Sequence, residues 1–155
     1  MFFGYNTNGM AHHDLFDAVA LLAELGYRGV AITIDHGALS PRDEGFRGQI
    51  GRLRPLLRRL GMRSAIETGA RFLLDPRQKH EPTLISADPA GRARRLEFYR
   101  HAIHCAAELG SDCVSIWSGA LRDGITRDLA LDRLVEGLGA VLDEAAGQGV
   151  MIGFE

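Results

Sequence analysis

The sequence predicts an α/β fold in which short parallel strands alternate with longer helices. Two features carry this reading. Helix-like stretches close on Leu25-Gly26, Leu60-Gly61, Leu109-Gly110 and Gly149. A short apolar, often β-branched run follows each of them, as in Val30-Ala31-Ile32-Thr33-Ile34. Glycine at a helix C-terminus takes the left-handed conformation that other residues resist. An apolar run directly after it reads as a buried parallel strand. The helices between such strands are the crossovers that parallel pairing requires.

The elements follow in order. Residues 2–6 form the first strand. Asp14 caps the first helix, with Asp17 in its first turn. Leu15, Ala18, Val19, Leu22 and Leu25 then make an apolar stripe at helical spacing. The second strand is 29–35. The second helix, 46–60, turns Ile50, Leu53, Leu57 and Leu60 inward, and Pro55 is expected to kink or restart it. Its arginines, Arg47, Arg52, Arg54, Arg58 and Arg59, read as a solvated face rather than an anion site. The third strand is 63–67 and the third helix 92–109. The fourth strand is 113–117, the fourth helix 127–146 and the fifth strand 150–155. The order is βαβαβαβαβ, in a single domain that takes in residues 1–155.

Two architectures accept this order, an open doubly wound sheet or a (β/α)8 barrel. The first strand-to-helix turn, Asn6-Thr7-Asn8-Gly9-Met10-Ala11, lacks the glycine pattern of a dinucleotide site, and no Walker motif occurs. Polar or aromatic residues do stand at the strand ends: Asn6, Asp35-His36, Glu67, Trp117-Ser118 and Glu155. That is the mark of a barrel enzyme, whose site forms at the C-terminal face.

Composition narrows the function. The 155 residues are 46% hydrophobic and 25% charged, with a formal net charge of −2. This is ordinary for a globular protein and leaves no basic footprint for nucleic acid. No apolar run is long enough to span a bilayer, and the N-terminus lacks the basic start and apolar core of a signal peptide. The two cysteines, Cys105 and Cys113, fit neither a zinc knuckle nor a redox pair. They read as buried thiols, and the expected location is cytoplasmic.

The Asn6-Thr7 strand end, the joint Leu25-Gly26-Tyr27-Arg28-Gly29-Val30, the run Ala106-Ala107-Glu108-Leu109-Gly110-Ser111-Asp112-Cys113-Val114 and the strand ending Ile152-Gly153-Phe154-Glu155 together resemble a known family. It is the xylose isomerase-like TIM-barrel superfamily, the sugar-phosphate isomerase/epimerase group that also includes type-2 AP endonucleases. The resemblance implies an incomplete (β/α)8 TIM barrel holding strands 1–5 and helices 1–4. It implies a divalent metal cation, Mn2+, Mg2+ or Co2+ rather than Zn2+. In the family's isomerases the ligands are a Glu on strand five, an Asp on strand six, a His on strand seven and a Glu on strand eight. The first maps to Glu155, as metal ligand and catalytic base. A whole barrel takes roughly 250 residues. The expectation is therefore an N-terminal part, inactive alone and prone to self-associate through the open edges of its first and last strands.

Other residues admit two readings. His36 is a substrate contact or a plain loop histidine. Glu67 binds substrate hydroxyls or pairs with Arg71 as structure. The stretch 68–91, which carries Arg71, Arg77, Lys79 and His80, is a lid over a polar substrate or an irregular surface loop. In the first case His80 reaches the substrate. Trp117 walls a sugar site or packs in the core. Asn6 stands at the rim of the first strand. The pair His12-His13 reads as surface. Glu97, His101, His104 and Glu108 share one face of the third helix, but that face is expected to point to solvent. Leu96, Tyr99, Ile103, Ala106 and Ala107 are expected to face the barrel. The expected function is a metal-dependent sugar or sugar-phosphate isomerase/epimerase acting by proton transfer next to a carbonyl. Its partner is a small sugar or sugar phosphate, not a membrane or nucleic acid, with homo-oligomers foreseen. The alternatives are an AP endonuclease-like phosphodiesterase and a non-catalytic binding module on the same fold.

Overall fold

A computed structural model of the chain describes residues 1–122 and 124–155. Strands β1 (Gly4–Asn6), β2 (Gly29–Thr33), β3 (Arg63–Glu67), β4 (Val114–Ile116) and β5 (Ile152–Phe154) alternate with helices α1 (Leu15–Glu24), α2 (Phe46–Leu60), α3 (Pro89–Leu109) and α4 (Arg127–Gln148). A 3-10 turn, Thr7–Met10, follows β1. All strands run parallel and pair in chain order. Sequential pairing is the order of a barrel; a doubly wound sheet reverses direction at a switch point. The arrangement is an incomplete (β/α)8 barrel. Among the described residues no helix is long and apolar enough to cross a membrane.

The local rules hold at most helix ends. Asp14 Oδ1 accepts from Phe16 N and Asp17 N. Gly61, Gly110 and Gly149 take left-handed conformations at helix C-caps. The third helix begins at Pro89 rather than 92, because Asp88 caps it and proline suits the first helical position. α2 runs unbroken through Pro55. The carbonyl its ring leaves unbonded lies at exposed Gly51, where water can serve it.

Alternation along the strands separates two faces. Val30, Ile32, Ile66, Val114 and Ile116 are buried in one core with Val19, Leu53, Phe98, Ile103 and other helix residues. Ala31, Ala65, Glu67 and Ser115 occupy the opposite, inner face and are half-buried. β5 departs from the expected buried run: Met151 is 70% exposed and Phe154 51%. It has one strand neighbour, β4, and its other edge is open. Phe2, Phe3 and Tyr5 are likewise exposed on and before β1, at the opposite edge.

The stripe expected on the solvent face of α3 is divided. Glu97 and Glu108 are exposed, but His101 and His104 are half-buried against the Phe46 ring, at centroid distances of 4.8 and 6.3 Å. His101 Nε2 donates to Leu39 O (2.7 Å), in a loop where Leu39 has φ +51°. Ala107, expected inward, is exposed. The N-terminal end of α2 lies against α3 and rotates this boundary. Cys105 is buried, which pushes its thiol up to about 12 and keeps it inert.

The long connection between β3 and α3 is packed rather than lid-like. Leu73, Leu74, Pro82, Thr83, Leu84 and Ile85 are buried, while Phe72, the tip at 76–79 and residues 87–88 before α3 are exposed. Its anchor is Arg95, a helix residue with no exposed surface. Arg95 Nε donates to Pro82 O (2.6 Å), Nη1 to Thr68 O (3.0 Å) and Nη2 to His80 O (2.6 Å). The guanidinium also lies 5.4 Å from the Tyr99 ring centroid and 5.5 Å from that of Phe98. Burial lowers its pKa from the ordinary value, partly offset by Tyr99 and Glu81. Gly137 of α4 leaves room for Leu84: an added Cβ would meet Leu84 Cδ2 at 2.9 Å.

Two outcomes are expected. Arg95→Met leaves three buried carbonyls without a donor and destabilises the fold by roughly 3 kcal/mol, read by urea denaturation. Arg95→Lys recovers part of that loss, because a single ammonium cannot reproduce the planar fork. Burial also lowers the pKa of His101 from 6.5, so the unfolded chain binds this proton more readily. Stability is then full above about pH 6.5 and falls as pH drops toward the folded-state value. Thermal melts from pH 7.5 to 5 show this slope in the wild type and a shallower one in His101→Gln.

Candidate active site

The sheet register assembles a group of polar residues at the C-terminal ends of β3, β4 and β5. Glu67 pairs with Ser115, and Ser115 with Gly153, across the inner face. Trp117 and Glu155 follow two residues further on, one step beyond the paired level. Around them lies a cavity of about 230 Å3 lined by Glu67, Gly69, His80, Ser115, Trp117 and Glu155. Four of the residues singled out in the sequence, Glu67, His80, Trp117 and Glu155, thus share one cavity.

Each is held by identifiable contacts. Ser115 Oγ donates to Glu155 Oε1 (2.8 Å). Glu155 N donates to Ile116 O (2.9 Å), which continues the ladder past β5. Glu67 Oε1 accepts from Gly69 N (3.1 Å). Burial raises the Glu67 carboxyl from its ordinary value, and the charge of Glu155 adds to the effect. His80 has φ +68°, a conformation rare for a side-chain-bearing residue. Its Nδ1 donates to Gly69 O (2.6 Å), which in the neutral ring leaves Nε2 as the acceptor. The Trp117 ring meets His80 edge-on at 5.8 Å, and Trp117 Nε1 is buried without an acceptor. The cavity therefore offers two carboxylates in unlike surroundings, a histidine of fixed tautomer and an aromatic wall.

His36 and Asn6 lie elsewhere. His36 is exposed and lines a separate cavity of about 400 Å3 at the ends of β1 and β2, with Thr7, His13, Asp35 and Arg71 among its neighbours. Arg71 does not pair with Glu67. Its Nε lies 3.2 Å from Asp35 Oδ2, and its Nη2 donates to Asn8 O (3.3 Å). The oxygen of Asn6 is committed to structure: Oδ1 accepts from Asn8 N (2.8 Å) and from Thr33 Oγ1 (2.7 Å). Asn6 borders the hollow on the inner face beside Ala31 and Ala65. His12 is exposed, like His13.

Sequence reasoning missed Ser115 and Arg95. Ser115 was legible, since it stands two residues before Trp117 on the same face of an alternating strand. Arg95 was not, because it sits among Arg92, Arg94 and Arg100, and nothing local marks which of these arginines is buried. Among the described residues no three His, Cys, Asp or Glu side chains converge as a metal site.

A family model described as the xylose isomerase-like TIM barrel matches residues 19–155. No curated protein sequence matches the chain. Among solved structures, a protein of Sinorhizobium meliloti 1021 is 25% identical, with a TM-score of 0.69, covering 97% of this chain and 49% of its own. A D-tagatose 3-epimerase-like protein is 21% identical with a TM-score of 0.77, over 99% of this chain and 52% of its own. A D-psicose 3-epimerase from Clostridium cellulolyticum H10 is 20% identical with a TM-score of 0.73, over 98% and 51%. The chain spans about half the length of these structures. The family match covers most of the chain, and this protein belongs to the xylose isomerase-like TIM-barrel family.

Proposed function

We propose that this chain is the N-terminal half of a metal-dependent sugar epimerase or isomerase, which moves a proton on the carbon next to a carbonyl. The observation that carries the reading is the convergence of Glu155, Glu67, His80 and Trp117 on one cavity at the C-terminal strand ends, in a fold shared with solved sugar 3-epimerases. Sugars and sugar phosphates are the substrate class.

The donor set fits a hard divalent cation in part. Glu155 supplies a carboxylate oxygen, and half-buried Glu67 borders the same cavity. The remaining ligands come from outside residues 1–155. Such a cation, when bound, polarises the carbonyl and steadies the negative charge that builds on its oxygen. The chain's own residues do the rest. The Glu155 carboxylate, oriented by Ser115 Oγ, takes the proton from the carbon next to the carbonyl, and an acid from outside residues 1–155 returns a proton to the other face. Glu67, with its carboxyl raised, keeps a proton more readily and binds a substrate hydroxyl. The Trp117 ring walls the cavity and can cover the apolar face of the sugar.

The test is Glu155→Gln in the full-length protein. The change preserves shape and removes charge. Turnover of a ketohexose falls by about 10²–10⁴-fold, and calorimetric Mn2+ affinity falls with it. The Glu67 carboxyl also moves back toward its ordinary value, read by carbon NMR titration. Wild-type turnover together with wild-type metal affinity in this variant would refute the assignment.

A further inference from the structure

We propose that Thr68 is a positioning residue for the acids of the site: its buried hydroxyl stands in for a backbone donor of the β3–β4 ladder, which lets the chain leave the sheet and turn its own amide toward Glu67. The reaction it serves is the one read above, and to that extent the proposal rests on the sugar-epimerase reading.

A parallel ladder advances two residues per bond. Between β3 and β4, Ile66 N donates to Cys113 O (2.9 Å), so the next bond in the series is Thr68 N to Ser115 O. That bond is not formed among the described residues. Thr68 Oγ1 donates to Ser115 O instead, at 2.6 Å. The seams on either side behave differently. Past the end of β2, Ile34 N still donates to Glu67 O (3.1 Å). Past the end of β5, Glu155 N still donates to Ile116 O (2.9 Å) and Ser118 N to Glu155 O (3.3 Å). The replacement of amide by hydroxyl falls at the seam where the cavity opens, between Glu67 and Ser115.

A side-chain hydroxyl reaches further than a backbone amide. The two backbones can therefore part at the rim while the Ser115 carbonyl keeps a donor. Thr68 is fully buried, and its other polar groups are engaged too. Its carbonyl accepts from Arg95 Nη1 (3.0 Å). Its amide, released from the ladder, faces the Glu67 carboxylate beside the amide of Gly69, which donates to Glu67 Oε1 (3.1 Å). These two amides partly offset the rise that burial gives the Glu67 carboxyl. On the facing strand, the residue whose carbonyl Thr68 holds is the residue whose Oγ donates to Glu155 Oε1 (2.8 Å). One hydroxyl thus fixes both the backbone that presents Glu67 and the backbone that orients Glu155. Valine has nearly the same shape and lacks the donor. With valine there, Ser115 O draws the amide of residue 68 back into the ladder, which narrows the rim and takes that amide from Glu67.

The experiment uses the full-length protein with Thr68→Val, Thr68→Ser and Val19→Ala, a core change on α1 that controls for lost stability. Hydrogen exchange of the Gly69 amide is read by NMR and ketohexose turnover by chromatography, at a temperature where melting curves show each variant folded. Thr68→Val is expected to speed Gly69 exchange about tenfold and to lower kcat about tenfold or more, with a smaller change in KM. Thr68→Ser keeps the hydroxyl and should stay within about threefold of wild type in both. Val19→Ala should match wild type in both. If Thr68→Val does not fold, Thr68→Ala makes the same comparison. Gly69 exchange and turnover that survive loss of the hydroxyl overturn the proposal. So does a loss of equal size in Thr68→Ser or in Val19→Ala. Hydroxyl-dependent Gly69 exchange in a protein without ketohexose turnover would retain the role of Thr68 and sink the epimerase reading alone.

Discussion

The upper half of this structure depends on one buried guanidinium. The connection from β3 to α3 has no secondary structure to satisfy its own carbonyls, yet much of it is buried. Buried carbonyls need donors. Arg95 supplies three of them from a single rigid fork, at Thr68, His80 and Pro82. Arginine suits this because its fork is planar and its charge is delocalised and weakly hydrated, so burial between aromatic rings costs less than it would for lysine. The consequence reaches the site. Thr68 follows Glu67 directly, and His80 carries the ring beside Trp117. The same side chain therefore sets the spacing between the end of β3 and the wall formed by His80. Thr68 Oγ1, donating to Ser115 O (2.6 Å), ties that end to β4.

A second constraint is the two-residue period of the strands. It sends large aliphatic residues to the helix side and leaves Ala31, Ala65 and Ser115 on the inside. Small inner residues leave the hollow open. Where the period reaches the rim, it delivers Glu67 and Glu155 to the same side without any direct hydrogen bond between them. The polar group is thus a product of register. A one-residue slip of β3 against β4 would bury Glu67 among the helices and disperse the site.

The same arithmetic explains what was legible in the sequence. Glycine stops and apolar runs located every strand and helix, because C-cap glycines and aliphatic strands are local signals. The start of α3 was a local signal, and the other errors fell where the signal was not local. The start of α3 needed the Asp88-Pro89 pair to be read as cap and first turn. The face of α3 needed knowledge that Phe46 packs against His101 and His104. The exposure of β5 follows from having one neighbour strand, which no residue of β5 encodes. Strand-end logic singled out Glu67, Trp117 and Glu155, which line one cavity, and gave equal standing to Asn6, whose oxygen the turn consumes. Arg71 was matched with the wrong acid, since only the left-handed turn at Ala70 decides which carboxylate it reaches.

Two carboxylates in one cavity do not act alike unless their surroundings match. Glu67 is on an inner strand, half-buried and bonded to the following Gly69 amide. Burial, more than its neighbour's charge, raises its carboxyl. Glu155 lies beyond an edge strand, exposed, and bonded to a hydroxyl. Environments that push two acids apart assign them to opposite sides of a proton transfer. A carboxyl that holds its proton more readily, as Glu67 does, suits the role of donor to a substrate oxygen. Within residues 1–155, β3 has a strand on each side and β5 has one, and the difference in burial follows.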